Sequence, residues 1–376
     1  MRFFPRTIGL ALTLAVILAA CGRVAFPAAP LPETPTPRAT PASPTATLRP
    51  EPSATLTGTA TPAPAMTAAA TVEPTLSPSP TPDPYTALTI DALSARPYGG
   101  GLLEIVDTLD QNERFARYLI KYPSDGLTIY GFMNVPNEGS RFPVAIVLHG
   151  YIDPVGYETV DYTRRYADAL AEAGYFVIHP NFRNYPPSDD GPDPFRIGYA
   201  IDVLNLVAIL REQSQDPLGT LRRADADDIN LWGHSMGGGV ALRVLTVNPA
   251  PYLRAAVLYG SMSGDEALNY GRIREWTGGR GGGFELGASP AALAAISPGN
   301  YLDRIEAAMA IHHSQDDDVV PVAWSEQLCA ALDGLAAAEE VPSAPECHFY
   351  QGQPHTFRGD GDALFIERTI AFFDQH

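Results

Sequence analysis

The chain has 376 residues, 18% of them charged, and a formal net charge of −18 at pH 7. An acidic, charge-poor chain with no basic stripe excludes nucleic acid as a partner, because phosphate binding draws on clustered Lys and Arg. Sixteen of the 36 prolines fall between Gly22 and Pro84, so the part able to build a core starts near Tyr85 and runs for about 290 residues, enough for one large domain.

Met1–Arg6 carries Arg2 and Arg6, and Thr7–Ala20 is a 14-residue apolar run that ends in Leu18-Ala19-Ala20-Cys21. Basic, apolar, small, then Cys is the order of a bacterial lipoprotein signal, with Cys21 the lipidated residue. It resembles the lipobox. Fourteen residues span about 21 Å as a helix, short of a ~30 Å hydrocarbon core. Residues 1–21 are therefore expected to be a signal that leaves the protein lipid-anchored on the outer face of the cell membrane. An uncleaved anchor and a plain secretory signal are the alternatives. Residues 22–84, rich in Thr-Pro, Ala-Pro and Ser-Pro steps, read as an extended tether and not a domain. Export places Cys329 and Cys347, the other two cysteines, in an oxidising compartment. They are candidates for a disulfide or for two separate buried thiols.

Regular periodicities begin after Tyr85. Phe115–Tyr122 and Leu127–Val135 are β-rich and flank Pro123-Ser-Asp-Gly126, a turn signal, which predicts an antiparallel hairpin at a sheet edge. Val144–Leu148 is wholly apolar, as a strand buried on both faces should be. Further strands are predicted at Tyr175–Ile178, Ile229–Trp232, Ala255–Tyr259, Met309–His312 and His348–Tyr350. Helices are predicted at Tyr162–Ala173, Ile197–Arg211, Gly237–Val247, Val322–Leu332 and Ala363–Asp374. Strands alternating with helices imply a mostly parallel sheet covered on both faces. The stretch 260–301 breaks the rhythm and holds Thr277-Gly-Gly-Arg-Gly-Gly-Gly283. With no Gly-Lys-Ser/Thr it is not a phosphate loop, and it reads as a mobile, lid-like insertion over the strand ends.

Gly233-His234-Ser235-Met236-Gly237 is a G-x-S-x-G sequence between a predicted strand and a predicted helix. That setting is the one in which glycines allow a strained turn to present a serine nucleophile, and it points to an α/β-hydrolase fold. A serine hydroxyl needs a base. His355 lies between the last strand and the last helix, where that base belongs. Asp316, Asp317 and Asp318 follow a strand and each could orient the imidazole. Spacing does not choose among them. The two histidines and three aspartates of 312–318 could instead suggest a metal site, but a Ser-His system explains the cluster, so neither metal nor cofactor is expected. The oxyanion donors are expected to be the amide of Met236, after the nucleophile, and that of Tyr151, after Val147-Leu-His-Gly150.

Taken together, Ser124-Asp-Gly-Leu-Thr-Ile-Tyr-Gly131, Leu148-His-Gly150, Asn181-Phe-Arg183, Gly233-x-Ser-x-Gly237, the Asp loop and Gly-x-x-His355 occur in order. This set resembles the catalytic domain of the prolyl oligopeptidase family and its dienelactone-hydrolase-like relatives, over residues 100–376. That resemblance implies a Ser-His-Asp hydrolase. The family's acid lies in His-Gly-x-x-Asp-x-x-Val. Laid on His312-His-Ser-Gln-Asp-Asp-Asp-Val319, the pattern points to Asp316, with His313 in place of the usual Gly. Asn181-Phe-Arg-Asn-Tyr185 likewise departs from a common Arg-Gly step. Many members carry a β-propeller, for which Tyr85–Tyr118, about 34 residues, leaves no room. The expected function is hydrolysis of a small ester or peptide through an acyl-enzyme. The alternatives are an acyl-peptide or dipeptidyl peptidase and, from another class, a non-catalytic binding lipoprotein displayed on the cell surface. Substrate and oligomeric state stay open.

Overall fold

The computed structural model describes residues 83–376. The signal segment, Cys21 and the tether up to residue 82 lie outside the described residues. In chain order the elements are α1 (Ile90–Ser94), β1 (Glu104–Gln111), β2 (Phe115–Ser124), β3 (Leu127–Pro136), β4 (Phe142–Leu148), α2 (Arg164–Glu172), β5 (Phe176–Pro180), α3 (Ile197–Gln213), β6 (Ala224–His234), α4 (Met236–Val247), β7 (Leu253–Tyr259), α5 (Glu266–Trp276), α6 (Pro290–Ile296), β8 (Ala308–Ser314), α7 (Val322–Ala337), β9 (Glu346–Tyr350) and α8 (Gly359–Gln375). Among the described residues, no helix is long and apolar enough to cross a membrane.

One nine-stranded sheet runs β1-β2-β3-β5-β4-β6-β7-β8-β9. β1, β2, β3 and β5 pair antiparallel in that order. From β5 through β4 to β9 every pair is parallel. The β2–β3 hairpin turns on Asp125 (φ 51°) and Gly126 (φ 83°), two positive φ values in a row, as a tight hairpin matched to strand twist requires. It is not the edge of the sheet, as the sequence suggested, because β1 covers it. All eight residues of β1 are exposed, so no alternation of buried and solvent-facing positions marks the strand in the sequence.

The parallel strands are buried on both faces, and their side chains divide by pleat. Val144, Ile146 and Leu148 of β4 join the core formed with α3 and α4, whereas Ala145 and Val147 join the core formed with α2 and α8. α3 carries no narrow apolar stripe, being buried along most of its length. Its Asp202 is fully buried yet pairs with Arg183 at 2.8 Å and accepts from Ser124 Oγ at 2.6 Å. This one carboxylate therefore ties the Asn181-Phe-Arg183 segment and the hairpin turn to α3. Burial pushes Asp202 up, against the Arg183 guanidinium that draws it back.

Residues 260–301 contain α5 and α6. α5 is capped by Asp265, whose side chain accepts from Ala267 N. Glu266, buried at its first turn, pairs with Arg196 and with Arg243 of α4. The insertion is thus helical and bolted to the core at one end, which is more structure than its glycine run suggested. Cys329 of α7 and Cys347 of β9 form a disulfide across a separation of 18 residues.

Candidate active site

β6 ends at His234, and α4 begins at Met236. Ser235 between them has φ 55° and ψ −115°, a conformation that a non-glycine residue holds only when its surroundings enforce it. Backbone hydrogen bonds do so. Ser235 N donates to Tyr259 O at 2.8 Å, and Ser235 O accepts from Gly238 N and from Met262 N, both at 3.1 Å. Sterics require the flanking glycines: a Cβ on Gly237 would sit 2.2 Å from Leu148 O, and one on Gly233 would sit 2.4 Å from Gly237 O. The serine is presented at the end of the central strands with 8% of its surface exposed.

Gly150, at the end of β4, faces it: a Cβ there would lie 3.1 Å from Ser235 Cβ and 2.6 Å from Tyr162 Oη. The chain after β4 therefore passes directly beside the serine. Among the described residues, the amides of Tyr151 and Met236 have no hydrogen-bond acceptor. The side chain of Tyr151 is exposed. His149 is buried beneath this turn, with Nε2 2.8 Å from Asn181 O and Nδ1 2.7 Å from Gly150 O. It fixes the turn to the Asn181 segment.

On the other side stands His355, whose Nδ1 donates to Asp317 Oδ2 at 2.6 Å. This corrects the expectation of Asp316. Asp316 is exposed and turned away, with Oδ2 accepting from Gly352 N at 2.6 Å. Asp318 is exposed as well. The three aspartates lie in the loop that follows β8, whose last residue is Ser314. His312 faces Tyr350, with Nδ1 2.8 Å from its Oη, while His313 faces Ser325 of α7. Laying the family pattern on His312 put the paired carboxylate one residue too early: moved on by one, it falls on His313-Ser-Gln-Asp-Asp317-Asp-Val-Val320, with Ser314 in place of the Gly. Alternation along β8 sends the two histidines to opposite faces, so they do not form a shared ligand set.

Asp317 is nearly without solvent contact, its side chain 1% exposed. Its Oδ1 accepts from Val319 N at 2.9 Å and Val320 N at 2.8 Å, and Oδ2 lies 3.1 Å from His313 Nε2 in addition to His355. Burial, the largest single influence, works to raise its pKa. Hydrogen bonds from His313 and His355, the charge His355 can carry and the Val320 amide together outweigh it, holding the carboxyl well below its ordinary 3.8. Arg272 of α5 donates to the carbonyls of Asp318 and Val319 at 3.0 and 3.2 Å, so the insertion reaches the acid loop.

Sequence reasoning missed two residues that assemble the pieces. His234, at the variable position of the G-x-S-x-G motif, is fully buried and stacks on His355 with ring centroids 4.6 Å apart. Its Nε2 is 3.1 Å from His355 O. A carbonyl only accepts, so Nε2 carries the proton and Nδ1 accepts from the Tyr162 hydroxyl. Burial, then the neighbouring His355, keeps His234 well below its ordinary value, hence neutral. Burial pushes Tyr162 up to about 12, so it retains its proton. One imidazole thus joins the loop after β4, the serine turn and the His355 loop. The second is Gly260 (φ 50°), where a Cβ would lie 3.2 Å from His355 Cε1 and 3.5 Å from Asp317 Oδ2. Only a glycine immediately after β7 leaves room for the pair. Among the described residues no hydrogen bond joins Ser235 Oγ to His355.

The sequence model of the α/β-hydrolase fold matches residues 143–333, just over half of the chain. The chain belongs to the α/β-hydrolase family. No curated protein matches the sequence. Among solved structures, this α/β-hydrolase is similar to acetyl xylan esterase 1 from Thermoanaerobacterium sp., with 17% identity over 73% of this chain and 88% of that one, TM-score 0.52. It is also similar to the acylaminoacyl peptidase of Pyrococcus horikoshii, with 20% identity over 70% of this chain and 42% of that one, TM-score 0.54. A puromycin-hydrolyzing peptidase from Mycobacterium tuberculosis gives 20% identity over 70% and 40% of the respective chains, TM-score 0.53. The chain spans about two fifths of each of these two peptidases. At such identities the likeness is one of fold.

Proposed function

We propose that this α/β-hydrolase is a serine hydrolase that cleaves an ester or amide of a small molecule through an acyl-enzyme, with Ser235 as nucleophile, His355 as base and Asp317 as the orienting acid. The observation that carries the reading is the 2.6 Å bond from His355 Nδ1 to the buried Asp317, beside a serine held at positive φ. With Nδ1 protonated toward Asp317, the lone pair of neutral His355 is on Nε2, the atom that takes the serine proton. Ser235 Oγ then attacks the carbonyl, and the Tyr151 and Met236 amides receive the oxyanion. His355 returns the proton to the leaving group and next activates water to release the acyl group from Ser235. The serine–histidine hydrogen bond tightens only as substrate binds, as in many resting enzymes of this kind.

Ester cleavage is the first reading to test, because the fold covers 88% of the similar acetyl xylan esterase and about two fifths of the similar peptidases. A lipid anchor at Cys21 and a tether would place this domain outside the cell membrane.

The test is intact-mass analysis of the full chain after a fluorophosphonate, with Ser235→Ala, His355→Ala and Asp317→Asn beside the wild type. One stoichiometric adduct on Ser235 of the wild type alone supports the reading, and a panel of small esters against dipeptides then separates esterase from peptidase. A folded wild type that takes no adduct overturns it in favour of a non-catalytic binding protein.

A further inference from the structure

Two peptide groups hold Asp317. Its Oδ1 accepts from Val319 N at 2.9 Å and from Val320 N at 2.8 Å, while Oδ2 faces His355. The Val319 amide shares a peptide plane with the Asp318 carbonyl, and the Val320 amide shares one with the Val319 carbonyl. Those two carbonyls are the ones that Arg272 holds: Nη2 donates to Asp318 O at 3.0 Å and Nε to Val319 O at 3.2 Å. One guanidinium therefore grips, from the carbonyl side, both of the peptide groups that grip the carboxylate from the amide side. A trans peptide is planar and stiff, with N–H and C=O pointing opposite ways, so fixing one end fixes the other. Donation to a carbonyl also polarises the peptide and strengthens the bond that its N–H makes.

The guanidinium is itself aimed. Nε and Nη2 form the side edge of a rigid planar fork, which suits two neighbouring acceptors. At the other end Nη1 donates to Glu275 Oε2 at 3.0 Å, and the group lies over the Trp276 ring, 5.3 Å from its centroid. The helix that carries Arg272, α5, belongs to the 260–301 insertion and is anchored at its first turn, where Glu266 pairs with Arg196 and Arg243. The insertion thus runs from the buried core to the loop that carries Asp317. We infer that Arg272 is a positioning residue for the reaction proposed above: it holds the Asp318–Val319 and Val319–Val320 peptide groups so that Asp317 presents Oδ2 to His355, and it makes the seating of the insertion a condition of that aim. Its catalytic meaning rests on the serine-hydrolase reading, whereas the geometry from Arg272 through the two peptides to Asp317 stands without it. Arg272 acts through Asp317 and not on substrate, so its loss reaches kcat and leaves KM in place.

The experiment compares full-chain wild type, Arg272→Ala and Arg272→Lys on p-nitrophenyl acetate, each also in an Asp317→Ala background. Arg272→Ala should lower kcat about tenfold with KM within about twofold, since a small misplacement of a catalytic group is costly. Arg272→Lys, whose ammonium has no fork to span both carbonyls, should lose nearly as much, whereas methylguanidinium added to Arg272→Ala should restore most of the rate. In the Asp317→Ala background the effect of Arg272→Ala should shrink to less than about twofold, because residues that act through one contact are not additive. An undiminished effect there, a change in KM alone, or an unchanged kcat overturns the inference. Amide hydrogen exchange supplies a readout that needs no turnover. Val319 and Val320 should exchange about tenfold faster in Arg272→Ala while the amides of β8 keep their rates, and equal exchange at Val319 and Val320 overturns the inference as well. If Arg272→Ala fails to fold, Arg272→Lys carries the same comparisons. A wild type that turns over no ester refutes the hydrolase reading, and the exchange comparison then decides the Arg272 link by itself.

Discussion

The two sides of Ser235 are built differently. On the His355 side, Asp317 accepts from His355 with His313 Nε2 3.1 Å from the same oxygen, and His234 meets the His355 carbonyl, most of it buried, while Cys329–Cys347 joins the helix after Asp317 to the strand before His355. On the other side, the chain after β4 leaves Tyr151 68% exposed and Val155 96% exposed. The difference teaches where chemistry and selectivity reside. Under the proposed mechanism the buried side is a proton relay, which tolerates little displacement and is preorganised and dry. The surface that meets a substrate is composed of loop residues free to vary.

The comparison breaks most visibly at the nucleophile. Ser235→Ala should lower kcat by on the order of 10⁶ while leaving thermal unfolding nearly unchanged, measured by ester turnover and calorimetry. Asp317→Asn should cost about 10⁴ in kcat by upsetting the His355 tautomer, and Asp316→Asn only a few-fold. Equal losses in the two would return the acid to an open question. Away from the serine, Arg183→Met leaves Asp202 buried and unpaired and should destabilise the fold by about 3–5 kcal/mol in denaturant titration. Reduction of Cys329–Cys347 reopens an 18-residue loop and should cost about 3 kcal/mol, with turnover falling if the staple also aligns acid and base loops. Asp317 adds a pH signature. Its folded pKa lies below its unfolded one, so its stabilisation is complete above the unfolded value and fades as pH falls through the folded one. Wild type should therefore lose more stability than Asp317→Asn when acidified from neutral pH to below 3.8.

Much of this was legible beforehand, for physical reasons that can be named. Apolar runs such as Val144–Leu148 can only be strands buried on both faces, and glycines around Ser235 have one steric use. His355 was found because loops after late strands converge on the serine. The carboxylate that meets His355 was missed by one residue because three consecutive aspartates carry no internal mark of which one points inward; the loop after β8, where Val319 N and Val320 N hold Asp317, decides. His234 gave no signal, since the motif leaves its position free. β1 was missed because a strand exposed on both faces has no hydrophobic period. The two helices of 260–301 were hidden behind glycines and decided by tertiary anchors, Glu266 above all.

That outermost strand has a bearing on how the molecules tolerate crowding. β1 pairs on one side with β2, and among the described residues its other side has no partner. It presents Ile105, Val106 and Leu109 between 41% and 46% exposed, the kind of ribbon that invites another chain to add itself. Glu104, Asp107 and Asp110 are interleaved with them. Two copies approaching rim to rim would force carboxylates of one against those of the other, a penalty that acts only between molecules and costs the single molecule little. Without those carboxylates the same ribbon would be the seam along which copies adhere.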